Sequence, residues 1–212
     1  MGGIYTLGSR PTTVLDHNLI HDIDSFSYGG WGIYFDEGST GVVASNNVVY
    51  NTKSAGFHQH YGRENVVINN IFALGGEAQL MRTRAEDHIS FTIENNVVLA
   101  KGAPLLGSNW SGDKYRLDHN VYWNIGGGPV KMADRSWEQW QARGNDAHSL
   151  VADPEFVAPE KGDFRIKPGS PAARIGFQPI DVRNAGRSGK PVTEHETPPA
   201  FPLAVPVKTA DR

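Results

Sequence analysis

The sequence VASNNVVYN (43–51) is the pattern that decides the fold, because four other segments repeat it. They are VLDHNLIHD (14–22), VVINNIFAL (66–74), TIENNVVLA (92–100) and RLDHNVYWN (116–124). Each segment centres on an Asn-Asn or His-Asn pair followed by two apolar residues. The second members of the pairs are Asn18, Asn47, Asn70, Asn96 and Asn120, at successive spacings of 29, 23, 26 and 24 residues. A repeat of this length suits one coil of a solenoid and is too short for a β-propeller blade.

The repeated Asn predicts a corner between two strands. Asn tolerates the left-handed backbone of a sharp bend, and stacked Asn side chains can hydrogen-bond from one coil to the next. Asn47, Asn70 and Asn96 should therefore stack at one corner, partly buried and bonded between coils. A further short strand follows each corner from the second coil onward: GFHQHYG (56–62), QLMRTR (79–84), PLLGSNW (104–110) and PVKM (129–132), with GIYFDEG (32–38) ahead of them.

These strands predict an all-β fold, a right-handed parallel β-helix of about five to six coils paired in parallel roughly 4.8 Å apart. Ser136 to Gln139 has the form of a capping box that opens a short helix. We expect a β-helix domain over residues 1–180, closed by capping strands at 149–180, and then a Pro-rich polar tail at 181–212. GIYTLG (3–8) looks like a coil strand with no cap before it, which predicts self-association through the first coil.

The composition of the chain argues against nucleic acid and membrane as its partners. The net charge is −3, with 20 Lys and Arg against 23 Asp and Glu, so no basic stripe predicts nucleic-acid binding. No apolar run approaches the roughly 18 residues of a membrane span, and MGGIYTLGSRPT (1–12) lacks the pattern of a signal peptide. Without Cys there are no disulfides or thiolate metal sites, and no cofactor is predicted.

A cluster of polar side chains is expected on one face of three adjacent coils. Aligning the strands by their closing glycine places Tyr34 over His58, Asp36 over His60 and Glu37 over Tyr61. The next coil adds Arg82, Arg84, Glu86, Asp87 and His88. Outward side chains of a solenoid stack in ladders, so these residues should share a groove. Aromatic residues that could stack on sugars are Trp31, Trp110 and Tyr122.

Four functions are compatible with such a face. Glycoside hydrolysis needs two carboxyl groups, one from Asp36 or Glu37 and one from Glu86 or Asp87. A spacing of two coils, about 10 Å, favours inversion over retention. A lyase or epimerase of uronic-acid polymers would use Arg82 or Arg84 to neutralise the substrate carboxylate. The third function is a metal site, and the fourth is a carbohydrate-binding surface without catalysis.

In the lyase or epimerase, His60 would remove the proton next to the carboxylate and Tyr61 would donate one. A metal site would combine His58, His60 and Asp36. His58 and His60 are two apart on a strand and so should face the same way. A neighbouring Arg should lower the pKa of Asp36 and favour a role as nucleophile or base.

A family resemblance favours hydrolysis among these functions. It is carried by GGWGIYFDEGS (29–39), GFHQHYGRENVVINNIF (56–72), EAQLMRTRAEDH (77–88) and GSNWSGDKYRLDHNVYW (107–123). They resemble bacterial right-handed β-helix repeat proteins, most of all glycoside hydrolase family 141, known for α-fucosidase and xylanase activity. The resemblance covers residues 1–180 and implies an extracellular or periplasmic hydrolase of plant or algal poly- or oligosaccharides. Such relatives are longer and carry further N-terminal coils, so the uncapped first coil indicates either a partner that covers it or a fragment of a longer protein.

Overall fold

Three parallel sheets, stacked as a β-solenoid of about six turns, form the protein in a computed structural model that describes residues 1–9 and 11–186. Sheet 1 contains β1 (Gly2–Thr6), β4 (Trp31–Phe35), β8 (Ala55–Gln59), β12 (Ala78–Arg82) and β15 (Leu106–Ser108). Sheet 2 contains β2 (Val14–Asp16), β6 (Val43–Ser45), β10 (Asn65–Ile68), β13 (Phe91–Glu94) and β16 (Arg116–Asp118). Sheet 3 contains β3 (Leu19–Ile23), β7 (Val48–Thr52), β11 (Ile71–Ala73), β14 (Val97–Ala100), β17 (Val121–Asn124) and β20 (Leu150–Val151).

The predicted parallel β-helix is thus confirmed, with three strands in each of the first five coils. A small parallel pair, β5 (Ser39–Thr40) with β9 (Gly62–Arg63), lies in the bend after sheet 1. The expectation for residues 129–132 is wrong. That segment does not join sheet 1, because β18 (Lys131–Met132) turns back and pairs antiparallel with β19 (Arg135–Ser136).

The predicted Asn ladder lies between sheets 2 and 3. The side-chain amides bond in sequence at 2.8, 2.8, 3.0 and 3.1 Å. Its members are Asn18, Asn47, Asn70, Asn96 and Asn120. All but the first are fully buried, more than expected. The ladder residues are not the left-handed ones: the preceding residue takes that conformation, with φ between 53° and 55° at His17, Asn46, Asn69, Asn95 and His119.

Replacing Asn70 by Leu should therefore lower the free energy of unfolding by on the order of 1–3 kcal/mol, because buried partners lose their bonds. Asn70 Oδ1 accepts from the backbone and side chain of Asn47, and its Nδ2 also donates to the carbonyl of Ala44. Urea unfolding measures the change. His17→Asn is the control. It replaces an exposed corner residue with the Asn that stands at the equivalent position of the second coil, Asn46. Its free energy of unfolding should fall by less than about 0.5 kcal/mol. Equal stability of Asn70→Leu and the parent chain would contradict the ladder's role.

A short helix covers the C-terminal end of the core. In α1 (Trp137–Gln141) the predicted capping box is present: Ser136 N donates to Gln139 Oε1 at 2.9 Å, and Gln139 N donates to Ser136 Oγ at 3.3 Å. Trp140 is fully buried in the main core cluster and stacks on Tyr115 with ring centroids 5.8 Å apart. Among the described residues, no helix is long and apolar enough to cross a membrane.

The predicted closing strands divide between the end of the stack and an outer face. Strand β20 pairs with β17 and so lies on the last coil, whereas the rest of the segment forms an antiparallel hairpin, β21 (Phe156–Ala158) with β22 (Asp163–Ile166), and two 3-10 turns, Pro159–Lys161 and Pro171–Ile175. Phe156, Phe164 and Ile175 pack in one apolar cluster with outward residues of sheet 3. The segment 156–182, here called the strap, therefore buries the second face of that sheet.

Hydrogen bonds attach the strap to corner residues of earlier coils. Asn95 Nδ2 donates to the carbonyl of Ile175, and Asn69 exchanges bonds of 3.0 and 2.7 Å with the backbone of Gln178. Val182 still packs against the same cluster, so the strap passes the expected boundary at residue 180. The rest of the predicted tail, 187–212, lies outside the described residues.

The first coil forms one edge of all three sheets, through β1, β2 and β3. Tyr5 and Leu7 are exposed there, whereas Ile4 is half-buried and packs against the core cluster. An exposed row of strand edges can pair with another chain. Self-association through this coil remains a prediction, which the mass of the particle in solution would test.

Candidate functional site

The outer face of sheet 1 carries a row of aromatic side chains. The strand register places Tyr5 beside Tyr34 and Tyr34 beside His58, which confirms the predicted alignment of Tyr34 with His58. The rings of Tyr34 and His58 stack with centroids 4.6 Å apart and planes 2° apart. Tyr5 meets Tyr34 edge-on at 5.4 Å. The polar residues of the site lie next to this aromatic row.

Asp36 follows β4 directly and is the centre of the polar cluster. Its Oδ1 accepts from the Tyr34 hydroxyl at 2.6 Å and lies 3.1 Å from His60 Nδ1. Its Oδ2 accepts from the Tyr5 hydroxyl at 2.8 Å. An ionised carboxylate only accepts, so the third contact requires a proton on His60 Nδ1, and in the neutral imidazole this tautomer leaves Nε2 with a lone pair.

The hydrogen bonds decide the charge of Asp36. Burial alone would raise its pKa, but the bonds from Tyr34, Tyr5 and His60 outweigh burial and hold that pKa below its usual range. The prediction that a neighbouring Arg lowers the pKa of Asp36 is wrong, because these hydrogen bonds lower it instead. Burial, reinforced by the bond to Asp36, raises the pKa of Tyr34, which keeps this hydroxyl a neutral donor.

His60 leads outward from Asp36 to two more predicted residues. Its side chain is 34% exposed, against 17% for Asp36, so the imidazole is the more accessible member of the pair. The ring of Tyr61 lies 5.0 Å from that of His60, and the Arg84 guanidinium lies 4.4 Å over the Tyr61 ring. Asp36, His60, Tyr61 and Arg84 thus form a continuous set of contacts, here called the Asp36–His60 site.

His58 does not belong to this accessible set, contrary to expectation. It is fully buried between Tyr34 and Trp31, and its Nε2 lies 3.1 Å from Thr83 Oγ1. Burial, with His60 nearby, lowers its pKa to about 3, so the ring is neutral at ordinary pH. A substrate cannot reach it in this structure. Within the described residues, His58, His60 and Asp36 also fail to bring three ligand atoms together.

The predicted role of Arg82 in substrate binding is wrong. Arg82 pairs in register with Gln59, faces the core and is fully buried, so it cannot bind substrate. Its guanidinium lies 4.7 Å over the Tyr115 ring and donates to the carbonyls of Asn109 and Ser111. Strand β12 ends at Arg82, so alternation no longer relates this residue to Arg84.

The proposed sugar platforms are also wrong. Trp110 lies in the main core cluster, only 3% exposed, and Tyr122 is fully buried with its hydroxyl bonded to Asp146. Trp31 is 2% exposed and lies beneath Tyr28, with ring centroids 4.8 Å apart. The exposed aromatic rings of this face are instead those of Tyr5 and Tyr28.

The other carboxyl groups lie in bends. Glu37 is exposed directly after Asp36. Glu86, in the bend after β12, pairs with His88 Nε2 at 3.1 Å, and Asp87 is exposed in the same bend. Glu86 is thus engaged by His88.

Sequence reasoning missed Tyr5, which holds Asp36 from the first coil. The signal was present, because GIYTLG (3–8) repeats the Gly-Ile-Tyr of GIYFDEG (32–38), and that match places Tyr5 beside Tyr34. Thr83 was missed as the partner of His58, since it lies beyond the end of β12.

Comparisons with family models, with curated proteins and with solved structures find no match to this chain. The resemblance to a hydrolase family therefore remains a prediction.

Proposed function

We propose that this chain is a carbohydrate-active enzyme in which His60 transfers a proton and Asp36 orients the imidazole. The observation that carries the proposal is the contact between Asp36 Oδ1 and His60 Nδ1, made while the Tyr34 hydroxyl donates to the same oxygen and the Tyr5 hydroxyl donates to Oδ2. A half-buried carboxylate that fixes the Nδ1–H tautomer leaves Nε2 of the neutral ring as an accessible base. The substrate would be a polysaccharide outside the cell.

The reaction that this arrangement supports best is elimination, or epimerisation, at a uronic acid. His60 Nε2 takes the proton from the carbon next to the carboxylate. In elimination, the electron pair forms a carbon–carbon double bond and the bond to the glycosidic oxygen breaks. Tyr61, in ring contact with His60, gives its proton to that oxygen. Arg84, which lies over the Tyr61 ring, neutralises the substrate carboxylate.

Glycoside hydrolysis of the α-fucosidase or xylanase type is the second candidate. The lowered pKa of Asp36 favours it, because an ionised carboxylate is the form that a base or nucleophile needs. Against it, hydrogen bonds occupy both oxygens of Asp36, and Glu86 is engaged by His88. Hydrolysis would need Glu37, Glu86 or Asp87 as the proton donor.

The products separate these reactions. The purified chain should be incubated with plant and algal polysaccharides, half of them uronic-acid polymers and half neutral. We expect an ultraviolet-absorbing unsaturated product from a uronic-acid polymer. New reducing ends without that absorbance would favour hydrolysis instead. Retardation on a polysaccharide gel with no product would show a binding surface and contradict the proposed catalysis.

A further inference from the structure

A corner of the fifth coil, remote in sequence from the Asp36–His60 site, carries two imidazoles and a carboxylate. Asp118 ends β16, and His119 follows it in the left-handed corner position with φ 53°. His148 comes from the turn just before β20, one coil later. The rings of His119 and His148 stack with centroids 4.9 Å apart and planes 19° apart.

Both rings converge on Asp118. Its Oδ2 lies 2.7 Å from His148 Nδ1 and 3.3 Å from His119 Nδ1. Its Oδ1 accepts the backbone N–H of His119 at 2.9 Å and of His148 at 2.7 Å, which fixes the carboxylate between the two coils. One ligand atom from each residue lies within 4.8 Å of the others, close enough to surround one ion after small side-chain rotations.

We propose that Asp118, His119 and His148 bind a divalent transition-metal cation of the zinc class. Two imidazole nitrogens and one carboxylate oxygen suit Zn²⁺ and its first-row neighbours, whereas Ca²⁺ and Mg²⁺ prefer all-oxygen sets. Ligation through Nδ1 requires each ring to carry its proton on Nε2. Because two ligands come from the fifth coil and one from the turn before β20, the ion fastens the last coil to the stack.

The exposure of the ligands sets the character of the site. The side chain of Asp118 is 28% exposed, that of His119 45% and that of His148 68%. A bound cation would thus keep coordination positions open to water or to an external ligand. Three protein ligands with an open position are also the arrangement of zinc sites that activate bound molecules.

The solenoid contains a natural comparison in its first coil. Asp16 and His17 repeat the Asp-His pair, with Oδ2 and Nδ1 2.5 Å apart. There the next coil supplies Ser45 and Asn46, which donate to Asp16 at 2.6 and 2.7 Å, in place of a second imidazole. Within residues 1–9 and 11–186, the fifth-coil group is the one set of three such ligands that converges.

The test is a calorimetric titration of the chelator-treated full chain with Zn²⁺, with the melting temperature measured in parallel. We expect one ion per chain and a higher melting temperature, because the ion binds the folded state. His148→Ala and His119→Asn should each weaken binding at least about tenfold. His119→Asn preserves the corner, since Asn46, Asn69 and Asn95 hold the same conformation.

His17→Asn is the matched control, because it alters the equivalent corner without a second imidazole, and it should bind Zn²⁺ like the parent chain. Circular dichroism confirms that each variant is folded. Equal loss in His17→Asn, or undiminished binding in His119→Asn and His148→Ala, would overturn the proposal. So would the absence of binding by the parent chain.

Discussion

Replacing His60 by alanine should lower the turnover of whichever polysaccharide the chain is found to cleave by on the order of 10²–10⁴-fold. This is the usual contribution of a general acid or base. The melting temperature should change little, because the side chain is 34% exposed and its ring contacts are with Asp36 and Tyr61. Asp36→Asn should also reduce turnover per folded molecule, since a carboxamide no longer enforces the Nδ1–H tautomer. Turnover and melting temperature should be measured on both variants.

His21→Ala is the matched control for these variants. His21 Nδ1 lies 2.7 Å from Asp22 Oδ2, and its ring stacks on Tyr50, so it is a similar His–Asp pair on sheet 3. Its replacement should leave turnover unchanged. If the Asp36–His60 contact were only structural, the variants would lose stability and keep their activity per folded molecule. Full activity in both variants would remove this face as the active site.

The pH dependence of stability offers a separate check on Asp36. Because its pKa is lower in the folded chain than in the unfolded one, its contribution to stability is present above the ordinary carboxyl pKa. That contribution is lost as the pH falls through the lowered value. Asp36→Asn should therefore show a smaller loss of stability on acidification than the parent chain.

The repeat made the fold and one register predictable from the sequence. Each coil repeats the same bend between sheets 2 and 3. Aligning Asn47 with Asn70 and Asn96 in the sequence is therefore sufficient to place this corner and its Asn ladder. The same transfer put Tyr34 beside His58 and Asp36 next to His60. Such inferences succeed because stacked coils share their hydrogen-bond register.

Two of the errors fall where the repeat stops, at the end of β12 and in the strap. Alternation assigned Arg82 and Arg84 to one face, but β12 ends between them and Arg82 enters the core. The strap has no repeat, so nothing in its sequence indicated whether it would cover the end of the stack or the outer face of sheet 3. Cap and strap positions depend on which apolar surface is left uncovered, and that is a property of the assembled coils.

Asp146 closes the Asn ladder from within the core. Its Oδ1 accepts from Ser149 Oγ at 2.5 Å and Tyr122 OH at 3.1 Å, and Asn120 Nδ2 lies 3.4 Å away. Its Oδ2 accepts from Trp140 Nε1 at 2.7 Å. The carboxyl group is fully buried, and it joins the last ladder residue to α1 and to the turn before β20.

Asp146→Ala should therefore lower the free energy of unfolding by about 3–5 kcal/mol, because several buried donors lose their acceptor at once. Asp146→Asn should cost less, since one acceptor oxygen remains. Burial raises the pKa of Asp146, so its contribution to stability is greatest below the ordinary carboxyl pKa and falls as the pH rises through the raised value. That decline should disappear in Asp146→Asn.

Urea unfolding at several pH values, followed by tryptophan fluorescence, measures both effects. Asp134→Asn is the control, an exposed carboxylate in the same end of the chain that pairs with Arg135, and it should change stability by less than about 0.5 kcal/mol. A loss in Asp146→Ala no larger than that of the control would contradict the role assigned to this carboxyl group. An unaltered pH profile in Asp146→Asn would contradict the raised pKa.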